Sequence, residues 1–171
     1  MISLSQAIDQ LNTGEIIIYP TDTVYGIGCL PSKNRALKQL LEFKKRKRQF
    51  ILLIDDWNRY HDWLSIHIDL QKINTDRATT WVLPASSKAP ECLKNPQGEI
   101  AIRQVCHPAT LALLQAIDEP LISTSANFPG QKTISSVAEA DTLPFEIMEG
   151  QCGNQPPSQI IHYTSGKIIR P

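Results

Sequence analysis

Apolar and polar positions alternate along this chain in two distinct periods. Leu4, Ala7, Ile8 and Leu11 recur at helical spacing between Ser3 and Ser5, which can cap a helix, and Gly14, which can end it. Glu15 to Tyr19 is a short β-branched run stopped by Pro20, as expected of a buried strand. Thr23 to Cys29 reads as a second extended segment, whose Gly26 and Gly28 point to a close approach to the backbone. A second helix is expected from a Ser32 cap to about Lys44, with Ala36, Leu37, Leu40 and Leu41 inward. Phe50 to Ile54 is a buried strand, and 57–75 reads as amphipathic and mostly helical, through Trp57, Tyr60, Trp63, Leu64, Ile68 and Leu70. Strands follow at Thr80–Leu83 and Glu99–Arg103, separated by a Ser-, Lys-, Pro- and Asn-bearing loop over 85–98. Pro108 to Ile117 is a helix with proline in its first turn. Leu121–Thr124 is a strand with a polar loop, Ser125 to Gly130, behind it, and two more strands lie at 159–163 and 167–170 around a turn.

Strands and helices interleave without repeat, low-complexity tract or linker. A mixed α/β sheet with helices against it, in one domain spanning 1–171, is the expected architecture. The length suits one domain with a sizeable core.

Charge changes the picture next. Lys+Arg and Asp+Glu both number 17, so the formal net charge is zero. Long nucleic acid is usually gripped by a basic excess, so anion binding here must be local. Cys29, Cys92, Cys106 and Cys152 form no CxxC pair, and the four histidines show no metal spacing, so no metal site is expected. Met1 to Gln6 has neither the basic nor the apolar region of a signal peptide, and no apolar run approaches the ~20 residues that span a membrane. A cytoplasmic protein with reduced thiols is the expectation.

Three polar segments border buried strands, where loops converge in α/β sheets. They are Pro20 to Gly26, Phe43 to Arg48, and Ser123 to Asn127. Lys44 to Arg48 is five consecutive cations. Such a run is either a solvated helix end, where cations suit the dipole, or a clamp for phosphate oxygens. Ser123-Thr124-Ser125-Ala126-Asn127 is either an ordinary turn or a loop whose hydroxyls and N–H groups bind oxyanions. Thr21, Asp22 and Thr23 carry the same two readings. No GxxxxGK[ST] and no GxSxG motif occurs, and Gly26-x-Gly28 lacks the third glycine of a dinucleotide fingerprint. Trp57, Tyr60 and Trp63 fall at i, i+3 and i+6, the spacing of a packed face more often than of a base-stacking platform.

In order, YPTDTVYGIG (Tyr19 to Gly28), LLEFKKR, AIR…HP and STSAN resemble the YrdC/TsaC family, from about residue 7 to the C-terminus. Lys44-Lys45-Arg46 matches its Lys-x-Arg motif and Ser125-Ala126-Asn127 its Ser-x-Asn motif. The resemblance implies a twisted mixed sheet with flanking helices around a basic concave cavity. It also implies a threonylcarbamoyl-AMP synthase, a nucleotidyltransferase joining L-threonine, bicarbonate and ATP and releasing pyrophosphate, with Mg²⁺ carried on the triphosphate. The product serves the threonylcarbamoyl modification of the tRNA adenosine next to the anticodon, through downstream transferase proteins; contact with tRNA or double-stranded RNA is a further implied partner. By matching position, Lys44 and Arg46 are implied as catalytic. Those two with Thr80, Ser125, Asn127, Ser158 and Arg170 are implied to hold the nucleotide, and Thr23, Arg103 and Thr124 the threonine. Relatives often place Pro-Gly-Pro before the threonine matched by Thr80 and a proline after Lys-x-Arg; this chain has Asp76 to Thr79 and Lys47-Arg48-Gln49 there, and Arg170-Pro171 at its end. The alternative is a non-catalytic RNA-binding module of the same fold using the cluster 44–48.

Overall fold

The computed structural model describes residues 1–45, 50–73, 75–153 and 155–171. In chain order the elements are α1 (Leu4–Thr13), β1 (Ile17–Tyr19), β2 (Gly26–Cys29), α2 (Asn34–Phe43), β3 (Ile51–Ile54), α3 (Leu70–Ile73), β4 (Thr79–Pro84), β5 (Glu99–Gln104), α4 (Pro108–Ala116), β6 (Leu121–Ser125), α5 (Val137–Ala140), β7 (Glu146–Ile147), β8 (Gln159–His162) and β9 (Ile168–Arg170). All the strands join one mixed sheet in the order β7-β1-β2-β6-β3-β5-β4-β8-β9. The pairs β1–β7, β3–β5 and β4–β8 run parallel and the rest antiparallel. The mixed α/β sheet with flanking helices is thus as expected.

Local chemistry sets the first helix. Ser3 accepts the Gln6 N–H while the Gln6 side chain accepts the Ser3 N–H, a reciprocal capping box. Gly14, at φ 89°, supplies the left-handed residue that ends it. Ser32 does not cap α2. Its N–H and hydroxyl both bind Glu119, and Lys33 takes the cap position with no side-chain bond.

The alternating strand pattern buries both faces of the sheet. On one face Ile18, Ile27, Leu52, Ile54, Ile100, Ile102 and Ile122 pack with Ala36, Leu37 and Leu40 of α2. On the other, Ile17, Tyr19, Leu53 and Leu121 pack with Ala7 and Leu11 of α1 and Leu113 and Leu114 of α4. Those two helices lean on each other near β1 and β6 and leave the rest of their face uncovered.

Segment 57–75 departs from the expected helix. Among its described residues, two short 3₁₀ turns, 57–59 and 61–63, and the one-turn α3 form instead. Asp56 caps the first turn, and Leu64 then pairs as an isolated bridge with Ala85, which straightens the chain. Trp57 and Tyr60 still bury their rings, but Leu70 is exposed. The sequence pattern also passed over α5 and β7. They are four and two residues long, too short to carry a period. Among the described residues no helix is long and apolar enough to cross a membrane.

Candidate active site

The uncovered part of the second face is a hollow of about 580 Å³. Its floor is a row of small and β-branched residues fixed by register: Val82 opposite Ala101, Ala101 opposite Ile51, Ile51 opposite Ser123, and Ser123 opposite Gly28. Glycine is required in β2. A Cβ at Gly28 would sit 1.8 Å from the Ile122 carbonyl oxygen, and one at Gly26 2.6 Å from the Tyr19 ring. The close approach expected of these two glycines is therefore made by Tyr19 and by β6.

Period-2 geometry aims Glu99, Ala101 and Arg103 of β5 into this hollow. Arg103 is only 5% exposed, and its Nη1 donates to the Thr23 hydroxyl over a long 3.5 Å. Its Nε–H has no partner, and among the described residues no carboxylate forms an ion pair with it. Burial pulls the guanidinium pKa down, with Asp22 opposing and Arg170 assisting, yet a guanidinium stays charged in proteins. A buried cation with an unused donor, facing a cavity, is a receptor for an anion.

Beside it, hydroxyls form a directed chain. Thr21 donates to the Val24 carbonyl (2.8 Å), so in the 3.1 Å contact between Thr21 and Thr23 the proton belongs to Thr23. Thr23 therefore accepts from Arg103, donates to Thr21, and keeps a lone pair for a ligand N–H. Thr110 on α4 anchors the start of this loop by donating to the Pro20 carbonyl.

At the opposite wall, Lys44 departs from expectation. Read from the sequence as either a solvated helix end or a phosphate clamp, it is 3% exposed and does not border the hollow. Its Nζ donates to the carbonyls of Ser125 (3.0 Å) and Asn127 (2.8 Å) and to Asn127 Oδ1 (2.7 Å). The end of α2 tucks under β6, and three oxygens there satisfy an ammonium better than a half-open cavity would. Asn127 Oδ1 also accepts from Ser125 Oγ (2.8 Å), and its amide donates to the Gln131 carbonyl. Lys45, directly after, has φ 49°, a left-handed conformation that a β-carbon makes costly and that clusters at functional sites.

Thr23, Arg103, Thr124, Ser125, Ser158 and Arg170 all border the hollow. Alternation along β6 directs Ser123 and Ser125, on either side of Thr124, to this face. Thr80, Asn127 and Lys44 stand one hydrogen bond behind: Thr80 bonds Ser158 (3.0 Å), and Lys44 and Asn127 support Ser125. Arg170 donates through Nε and Nη2 to the Ser158 carbonyl, at 3.1 and 2.6 Å. Arg46 lies outside the described residues, as does the stretch 46–48 of the basic cluster. Asn95, Gln97, Glu99 and Ile169 also line the hollow and were not singled out from the sequence; alternation through Glu99-Ile-Ala-Ile-Arg103 was the signal for Glu99.

A larger, more open hollow of about 990 Å³ lies between Trp57–Leu70 and Ser86–Lys88. It contains none of these hydroxyls or guanidinium groups, and its Asp62 is already paired with Lys88. Among the described residues no group of three or more His, Cys, Asp or Glu is placed to hold a metal.

The chain resembles known proteins over nearly its whole length. The model of the Sua5, YciO and YrdC proteins, described as telomere recombination, matches residues 9–171. A protein of Pseudoalteromonas translucida named threonylcarbamoyl-AMP synthase is 36% identical over 98% of this chain and 97% of its own length. Among solved structures, E. coli YciO superposes with a TM-score of 0.82 at 26% identity, covering 98% of this chain and 87% of that one. P. abyssi Sua5, solved with L-threonine, superposes at 0.81 with 23% identity, over 96% of this chain and 52% of that chain.

Proposed function

This chain belongs to the Sua5/YciO/YrdC family, and from that premise we infer that it is a threonylcarbamoyl-AMP synthase, a transferase that makes an adenylate from ATP. The observation that carries the reading onto this site is Arg103: a buried guanidinium with an unfilled Nε–H, beside a threonine hydroxyl with a free lone pair.

The substrates are L-threonine, bicarbonate and ATP. The amine of threonine takes up carbon dioxide from bicarbonate to form a carbamate. A carbamate oxygen then attacks the α-phosphorus, the bond to the bridging oxygen breaks, and pyrophosphate leaves. Nucleophile and target are both anionic, so the site must neutralise charge and fix geometry rather than supply a covalent intermediate. Arg103 receives the threonine carboxylate as a planar fork. Thr23 accepts the N–H of the carbamate through its spare lone pair. A pocket built to bond the substrate's hydroxyl, with Ser123 and Thr124 at hand, rejects analogues lacking it.

On the nucleotide side, Ser125, Ser158 and Arg170 face the triphosphate. Ser125 spends its proton on Asn127, so it must rotate to donate to a phosphate oxygen. Lys44 supplies positive charge from behind and fixes the Ser125–Asn127 loop. It is a positioning residue, while Arg46 completes the Lys-x-Arg pair. Mg²⁺ arrives on the triphosphate and is held by phosphate oxygens and water, as is usual for this ion. The adenylate is passed to transferase proteins acting on tRNA in the cytoplasm. An RNA-binding role without catalysis would give the buried Arg103, which has no carboxylate ion pair among the described residues, nothing to do.

The test is pyrophosphate release with each substrate omitted in turn. Release that requires both threonine and bicarbonate supports the reading; equal release without threonine overturns it.

A further inference from the structure

The hollow is electrically lopsided. Among the described residues lining it, Glu99 is the one acidic side chain. Arg103 and Arg170 mark the other end. Arg170 pairs with Ile160 and Ile160 with Thr80. The β4–β5 register, Trp81 opposite Ile102, then brings Thr80 level with Arg103. Glu99 lies four residues back along β5, about 13 Å from Arg103 at strand rise. With its triphosphate on Arg170 and Ser158 and with Arg103 taken by threonine, a nucleotide bound here can turn its base toward Glu99.

The surroundings of Glu99 suit a base. Val82 and Leu93 give that side apolar walls for a flat ring, and Ile160 and Ile169 continue the apolar lining toward Arg170. Ile169 is 54% exposed, a large apolar residue with little cover on an edge strand. The carboxylate is held still: Oε1 lies 2.7 Å from His162 Nε2, and Oε2 accepts from Asn95 Nδ2 at 3.0 Å. Each oxygen keeps a further lone pair, and a carboxylate can only accept. Asn95 itself is fixed by the N–H groups of Gln97 and Glu99.

We propose that Glu99 is a specificity-determining residue that accepts a hydrogen bond from the exocyclic amino group of the nucleotide's base. The proposal rests on the synthase reading only for the identity of the nucleotide as ATP.

The experiment compares ATP with purine riboside triphosphate, which lacks the amino group, in both pyrophosphate release and direct titration. Wild-type protein should prefer ATP by about tenfold or more, as expected for a hydrogen bond to a charged acceptor. In Glu99→Ala the preference should fall to within about twofold, and in Glu99→Gln, which keeps a neutral acceptor and the volume, to an intermediate value. The ratio does not depend on the fraction of protein folded, so a partly destabilised variant remains informative. A wild-type ratio near one, or a ratio that neither substitution changes, overturns the base contact. If titration shows the preference but no threonine-dependent release occurs, the contact stands and the synthase reading fails.

Discussion

Lys44 Nζ lies 2.7 Å from Asn127 Oδ1, joining the end of α2 to the loop that follows β6 across 83 residues of sequence. The same ammonium holds the carbonyls of Ser125 and Asn127. Two of the three polar segments visible in the sequence thus meet in one buried network behind the hollow, and the third, through Thr23, meets Arg103 on its floor.

Replacing Lys44 should therefore cost stability as well as turnover. Lys44→Met keeps the aliphatic stem but takes the ammonium from three acceptors, of which Asn127 Oδ1 keeps the Ser125 hydroxyl, for an expected loss of about 2–3 kcal/mol. Denaturant unfolding beside steady-state kinetics checks this. An unchanged midpoint would mean that the network does not hold the loop.

Arg103→Met should behave in the opposite way. Removing a buried charge that forms no ion pair with a carboxylate among the described residues should leave the melting temperature unchanged or higher. Threonine binding should weaken by about a hundredfold, the loss expected for a charge-assisted, two-pronged contact. Calorimetric titration with L-threonine, run beside a thermal melt, separates the two. A large fall in melting temperature with intact threonine affinity would make Arg103 structural.

Much of this was legible in the chain. Strand alternation and caps marked most elements, because Glu99 to Arg103 and Leu4 to Gly14 each carry a clean period. What failed has physical reasons. Segment 57–75 has helical spacing, but Asp56 starts a 3₁₀ turn and the Leu64–Ala85 bridge straightens the chain, so tertiary pairing overrides the period. Neither reading of Lys44, solvated helix end or phosphate clamp, foresaw its burial, because the oxygens that bury it come from residues 125–127. Hydrogen-bond direction, which leaves Ser125 without a proton to offer and Thr23 with a spare lone pair, depends on partners that no local pattern names.

The β2 glycines admit no side chain. Gly28→Ala forces a methyl into the Ile122 carbonyl, which is backbone and cannot step aside. A loss of several kcal/mol, or failure to accumulate folded protein, is expected. Gly98→Ala meets nothing within 4 Å, so its only cost is the left-handed φ of 75°, about 1–2 kcal/mol. Chemical unfolding of the two variants side by side gives the contrast; equal losses would contradict the packing of the floor.

Acid should weaken the Glu99 corner. Burial raises the Glu99 carboxyl pKa, but the Asn95 and His162 hydrogen bonds outweigh it and hold the group below its usual value. A depressed folded-state value contributes stability that is fully present above the unfolded pKa, about 4.3, and is lost as pH falls through the folded value. Glu99→Gln should therefore be less stable than wild type near neutrality, with the gap closing below about pH 4. Unfolding curves across pH 3 to 7 would show this; a constant gap would mean that the pairs do not depend on the charge.

The most direct measurement follows carbon from bicarbonate. With labelled bicarbonate, L-threonine and ATP, the label should enter one adenylate containing one threonine and one AMP, formed in step with pyrophosphate, and Arg103→Met should abolish it at ordinary threonine concentrations. Pyrophosphate formed without label in any adenylate, or labelled product undiminished in the Arg103 variant, would contradict a hollow whose buried guanidinium presents threonine carbamate to ATP.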